Sequence, residues 1–199
     1  MRTVPCYCEN VIETDLPELI DLEVHSEYYA EIQDGSFQNL TCDKCGLLLK
    51  PELRVRLKDA SRHFDLLFIP EADRGDFLKG AVDCEAPRLA IGYPELVEKI
   101  SLLMAALDDG AVEILKYFLK KKTGNDDVLI YFRKVEDDHL IFHIHGLKED
   151  QVASTRLPAA VYRDTEASLP EKRGDELFSA ILEPPYVSAN KISILEEEQ

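Results

Sequence analysis

Thr41-Cys42-Asp43-Lys44-Cys45-Gly46 is the stretch on which the reading of the first half of the chain turns. Two cysteines with two residues between them form a knuckle whose tight turn aims both sulfurs inward, the arrangement in which thiolates hold a tetrahedral metal ion. Gly46 suits such a turn. The residue after the second cysteine needs positive φ, which costs glycine nothing, and the freed backbone N–H groups then point at the sulfurs. Upstream stands a second pair, Cys6-Tyr7-Cys8, with one residue fewer and a correspondingly sharper bend. Four of the five cysteines therefore fall in two pairs, and Tyr7 and Gly46 are expected to shape the knuckles.

The segment between the pairs, residues 9–41, has 33 residues, longer than the roughly 15–20 of a plain two-knuckle site. A short helix over 28–33 accounts for the excess, with Ser26 as its cap and Asp34-Gly35 as its end. Strands are expected at 10–16, 19–24, 37–41, 47–57 and 64–69. Leu53, Val55 and Leu57 alternate with Arg54, Arg56 and Lys58, giving the fourth of these strands one basic face. Knuckles followed by strands are the layout of a zinc ribbon.

Beyond an acidic, irregular connection over 71–93, the periodicity changes to that of helices. Pro94 opens an apolar stripe of Leu96, Val97, Ile100, Leu103, Met104 and Leu107. After Asp108-Asp109-Gly110 a second stripe follows, Val112, Leu115, Phe118 and Leu119, ending in Lys120-Lys121-Lys122 and Gly124. Residues 128–135 and 139–145 read as a hairpin turning at Glu136-Asp137-Asp138. A strand at 157–163, a short helix at 174–182, a last strand at 186–194 and a frayed acidic tail complete the expectation. The fold class is α+β: a zinc-ribbon-like β unit with an inserted helix over 1–70, the 71–93 connection, and a helical pair with a mostly antiparallel sheet over 94–199. The parts are expected to pack as one unit, since the first alone is small and depends on its metal.

Composition bounds the partners. The 199 residues carry 39 acidic and 23 basic side chains, a formal charge of -16. Such a surface repels DNA, RNA and anionic membrane, whose binding relies on Lys and Arg. The exception is local: residues 43–62 have six cations against three acids, so Arg54, Arg56, Lys58 and Arg62 mark where a nucleic-acid backbone or acidic partner would touch, unless they pair with the acid-rich residues 9–34. No apolar leader precedes Cys6 and nowhere do 18 apolar residues run together, so a soluble, cytoplasmic protein is expected. In that reducing setting, paired cysteines read as metal ligands or redox thiols before structural disulfides.

Three chemistries follow. In the leading one, Cys6, Cys8, Cys42 and Cys45 hold a structural zinc ion, Zn2+, with no open coordination position, in a non-catalytic interaction or regulatory protein whose partner is a protein of unknown identity. The second is an enzyme, with a site at His143 and His145, which share one face of a strand, and a carboxylate such as Asp137 or Asp138; the third is a thiol-based redox sensor. The proposed register, Phe132 opposite His143 and Ile130 opposite His145, sets the histidines among apolar side chains. Cys84, between Asp83 and Glu85, is expected to keep its proton. No P-loop, G-x-S-x-G, G-x-G-x-x-G or H-E-x-x-H motif occurs.

The chain resembles the CpXC-domain family of bacterial and archaeal proteins. Val4-Pro5-Cys6-Tyr7-Cys8-Glu9, Gly35-Ser36-Phe37 and Thr41-Cys42-Asp43-Lys44-Cys45-Gly46 carry the resemblance, as do Pro94-Glu95-Leu96, the run from Asp108 to Lys116 and the hairpin after it. It departs from the family pattern at the first pair, which is C-x-C in place of C-P-x-C. The resemblance implies a zinc-binding domain and brings no established activity with it.

Overall fold

Two short antiparallel hairpins bring the cysteines together. In the computed structural model, which describes residues 1–191, Arg2–Pro5 (β1) pairs with Val11–Thr14 (β2), Val4 lying opposite Ile12. After Leu19–Asp21 (β3) and the helix Glu27–Asp34 (α1), Leu40–Thr41 (β4) pairs with Leu48–Leu49 (β5) around the second knuckle. Between the hairpins Val4, Cys6, Cys42 and Leu49 form a small buried cluster against which Cys8, Ile12, Leu40 and Leu53 pack. This is the zinc-ribbon-like unit, helix included.

The rest of the first unit, Met1–Val97, is a four-stranded sheet. Val55–Asp59 (β6) and Phe64–Ile69 (β7) form its central hairpin. β3 joins β6 in parallel, and Arg88–Ile91 (β8) joins β7 in parallel. Residues 71–93, expected as connection, also hold a 3-10 turn at Glu71–Asp73 and a short helix, Arg74–Leu78 (α2), before β8. The expected strand at 37–41 is reduced to β4, because Gln38 takes positive φ. Its buried amide instead donates to the Leu53 carbonyl at 2.8 Å and accepts from the Leu53 N–H at 2.7 Å.

The strand expected over 47–57 is interrupted at residues 50–54, where Pro51 has no N–H to donate, leaving β5 and β6; in β6 Val55 and Leu57 turn inward as expected, and Asp59, expected in the turn, extends the inward row. The cations of this segment are held close to home. Arg56 meets Asp65 through two bonds of 2.7 and 2.8 Å, Lys58 lies 3.5 Å from the same carboxylate, Arg62 lies 3.6 Å from Asp59, and Arg54 donates to the Asp83 carbonyl. These carboxylate and carbonyl partners come from the same sheet and the segment after it, while from residues 9–34 the Tyr29 ring faces the Arg62 guanidinium at 5.4 Å.

The helix Gly92–Met104 (α3) begins in the first unit and ends in the second, Glu98–Gln199. Asp109–Thr123 (α4) starts at an Asp108 cap that accepts from the Ala111 N–H and ends at Gly124 in the left-handed conformation, with three lysines in its last turn. Leu129–Glu136 (β9), His139–Lys148 (β10) and Gln151–Pro158 (β11) form an antiparallel sheet whose inner face joins α4 in one core, Phe132, Phe142, Val112 and Leu115 among it. The strand expected at 157–163 breaks at Pro158, and Ala159–Ala167 (α5) follows, then Leu169–Lys172 (α6) and Glu176–Leu182 (α7). Residues 186–191 form no strand, and the remainder of that expected strand and the acidic tail lie outside the described residues.

Charges are buried in this second unit. Lys116 Nζ sits 2.7 Å from Glu98 and 2.9 Å from Glu113, and Lys99 Nζ sits 2.9 Å from Asp109. Burial alone would strip the Lys116 proton, but the carboxylates of Glu113 and Glu98 hold its pKa above the usual range. Backbone groups fill the remaining valences: Phe132 N–H on Glu98, Ala189 N–H on Glu113, and the Val187 carbonyl on Lys99.

Candidate metal centre

The four sulfurs of Cys6, Cys8, Cys42 and Cys45 lie within 4.8 Å of one another. Cys6 Sγ is 3.6 Å from Cys45 Sγ, and Cys8 Sγ is 3.7 Å from Cys42 Sγ, so each close approach joins one knuckle to the other. None is in a disulfide. Among the described residues this is the one group of three or more His, Cys, Asp or Glu side chains gathered closely enough to hold a metal ion.

Both knuckles close by the same device. In the second, the Gly46 N–H donates to the Cys42 carbonyl at 2.8 Å with Gly46 at φ 74°. In the first, the Glu9 N–H donates to the Cys6 carbonyl at 2.9 Å with Glu9 at φ 65°. The residue after the second cysteine is thus left-handed in each, and the C-x-C pair completes the turn one residue early. The bond from Cys6 N–H to the Asn10 carbonyl ties the shorter turn back to β2. Gly46 does what its position predicts. Tyr7 is 91% exposed, so its ring packs on nothing, and any part it takes in the turn is through its backbone.

The electrostatics of the four thiols are unequal. Burial raises the pKa of Cys42, but the N–H groups of Cys45 and Lys44, the Asn10 amide at 3.6 Å and the neighbouring Cys6 outweigh it and bring the thiol down to about 6. At Cys45 the Leu47 N–H pulls downward, yet the adjacent sulfurs and burial push the group up to about 12. Cys6 is likewise raised: the Cys8 N–H favours its thiolate, but burial and the sulfurs of Cys42 and Cys8 prevail. Four sulfurs this close accommodate one negative charge readily and resist the rest, unless a cation sits among them. Asn10 also donates to Asp43 at 2.6 Å, and Lys44 donates to the Cys8 carbonyl, tying one knuckle to the other.

The other sequence candidates lie elsewhere. His143 pairs with Tyr131 and His145 with Leu129, one residue away from the expected register, because Arg133 forms a bulge between the Lys134–Ile141 and Phe132–Phe142 pairs. The histidines therefore occupy the face opposite Phe132 and Ile130. His143 is half-buried and its pKa is lowered by burial, then by Arg133 and His145, while the His145 ring meets Tyr131 edge-on at 5.8 Å. Asp137 and Asp138 sit at the hairpin turn, and no carboxylate joins the two histidines in a cluster among the described residues. Cys84 is half-buried and its thiol is raised chiefly by burial. Sequence reasoning missed Asn10, whose side chain bridges the knuckles; nothing in its neighbourhood singles it out.

The family model described as CpXC protein matches residues 4–116, which takes in both knuckles, the four-stranded sheet and most of the first two long helices. A protein of Treponema pallidum (strain Nichols), named only as an uncharacterized protein, is 27% identical over 218 aligned residues, covering 96% of this chain and 98% of that protein. No solved structure gives a significant match.

Proposed function

The chain belongs to the CpXC family, and on that premise we propose that it is a zinc-stabilised, non-catalytic interaction protein. In this reading Cys6, Cys8, Cys42 and Cys45 are the ligands, and zinc contributes to the folding of the first unit without taking part in a reaction. The observation that carries it is the cross-knuckle spacing of 3.6 and 3.7 Å. Four thiolates about 2.3 Å from a tetrahedral zinc stand about 3.8 Å apart, whereas sulfurs in a disulfide are about 2.05 Å apart. An all-cysteine donor set favours zinc over hard cations such as magnesium or calcium, and four protein ligands leave no position for a substrate or activated water.

Elemental analysis of the purified chain is expected to give one zinc per molecule, lost in Cys42→Ser and in Cys8→Ser and retained under mild peroxide. A folded protein without metal, whose thiols form disulfides under the same peroxide, would replace this reading with redox sensing.

A further inference from the structure

Beside the ribbon-like hairpins, the first unit carries an open cavity of about 520 Å³. Leu16, Leu40 and Leu53 give it apolar surface, Tyr28 and Glu31 reach it from one face of α1, and Asp15 reaches it from the turn after β2. The charge of this wall has a plain origin in the sequence: from residue 9 to residue 34 the chain has nine Asp or Glu and no Lys or Arg.

Four of these acids are satisfied locally. Asp21 accepts from the Glu23 N–H, Glu23 from the Ser61 N–H and Asp34 from the Ser36 N–H, and Glu27 faces His25. The two that line the cavity, Asp15 and Glu31, are not: among the described residues neither carboxylate has a hydrogen-bond or ion-pair partner. Glu31 lies close enough to Tyr28 to add to the effect of burial in raising the phenol's pKa. Basic residues of the following segment are engaged elsewhere: Arg56 pairs with Asp65, Arg62 with Asp59, and Lys50 donates to the Gly35 carbonyl over the Tyr93 ring.

We infer that this cavity receives a lysine- or arginine-bearing peptide segment of a protein partner, the aliphatic stem lying on Leu16, Leu40 and Leu53 and the charged head between Asp15, Glu31 and the Tyr28 ring. The match is to both halves of such a side chain: a long apolar stem needs an apolar floor, and a cation gains from carboxylates and an aromatic face in the same cavity wall. The chain's charge of -16 steers cationic partners toward it. The inference rests on the interaction reading and names the chemistry of the partner.

The test is a titration of the zinc-loaded, isotopically labelled full chain, at low ionic strength, with N-acetylated, C-amidated tetralysine. The same peptide acetylated on every side-chain amine keeps the stems without the charge. Backbone amide shifts are expected at residues 14–17, 28–31 and 36–40 with tetralysine only. Affinity should fall at least about tenfold in Asp15→Asn/Glu31→Gln, and in Glu31→Gln alone should the double variant fail to fold. Shifts centred on the Glu136-Asp137-Asp138 turn, shifts spread evenly over the acidic surface, unchanged affinity in a folded variant, or no binding would each overturn the assignment. Metal content measured on the same samples keeps the two readings apart. A folded, zinc-loaded chain that ignores the peptide removes the cavity's role alone, while a folded chain without metal removes the zinc-based reading.

Discussion

Glu9 shows how a single residue makes the unusual first knuckle work. A left-handed backbone costs a residue with a side chain roughly 1–2 kcal/mol relative to its right-handed alternatives, and Gly46 avoids that cost at the equivalent place in the second knuckle. Glu9→Gly is therefore expected to stabilise the chain by about 1 kcal/mol, less the entropy that glycine adds to the unfolded state, with zinc content unchanged. Thermal unfolding of the metal-loaded variant beside the natural chain measures it; a destabilised variant would mean that the Glu9 side chain contributes more than its backbone strain costs. The four cysteines themselves were legible as a set because ligand spacing is written in the chain. The equivalence of Glu9 and Gly46 was not, since no composition rule singles out a glutamate for positive φ.

At the scale of elements, α4 was legible in its apolar stripe, its cationic last turn and its end at Gly124, all local signals, while the start expected after Asp108-Asp109-Gly110 lies at Asp109, capped by Asp108. What lies on its buried face was not. Glu113 and Lys116 carry no local sign that they are buried. On the edge strand β9 the Phe132 N–H donates to Glu98, which is paired with Lys116. The bulge at Arg133 moved His143 and His145 to the opposite face from the one expected. Bulges are a property of strand pairs, and a sequence read one strand at a time does not contain them. Lys116→Met would leave two buried carboxylates without their shared cation and is expected to cost about 3–5 kcal/mol, read from the midpoint of denaturant unfolding. A loss below 1 kcal/mol would mean that water reaches Glu98 and Glu113. The parallel pairing of β3 with β6 was equally out of reach, because residues far apart in the chain decide it.

On the scale of the whole molecule, the cysteine-bearing hairpins differ from the rest in what holds them. The second unit has an extensive apolar core in Phe132, Phe142, Val112 and their neighbours, and the sheet of the first buries Leu57, Leu66, Phe68 and Leu89, whereas the cluster between the hairpins has four buried residues, two of them cysteines. Removing the proposed zinc with a strong chelator is expected to abolish amide-exchange protection at residues 2–14 and 40–49 while α4, β9 and β10 keep theirs. Uniform loss across the chain would show that metal and fold are coupled throughout. Among the described residues no helix is long and apolar enough to cross a membrane.

The long insert between the knuckles has a further meaning when the chain is viewed as a path through space. Cys8 and Cys42 are 34 positions apart, and β3, the strand that must find β6 in parallel, lies inside the loop they delimit. A metal bridging them acts as a removable cross-link: for a loop of this size the unfolded chain forfeits about 4 kcal/mol of conformational entropy. On the proposed reading, such an ion would do more than fasten two turns. It would shorten the search by which an internal strand reaches a distant neighbour, so the order of assembly, and not only the strength of the finished unit, would depend on when the metal arrives.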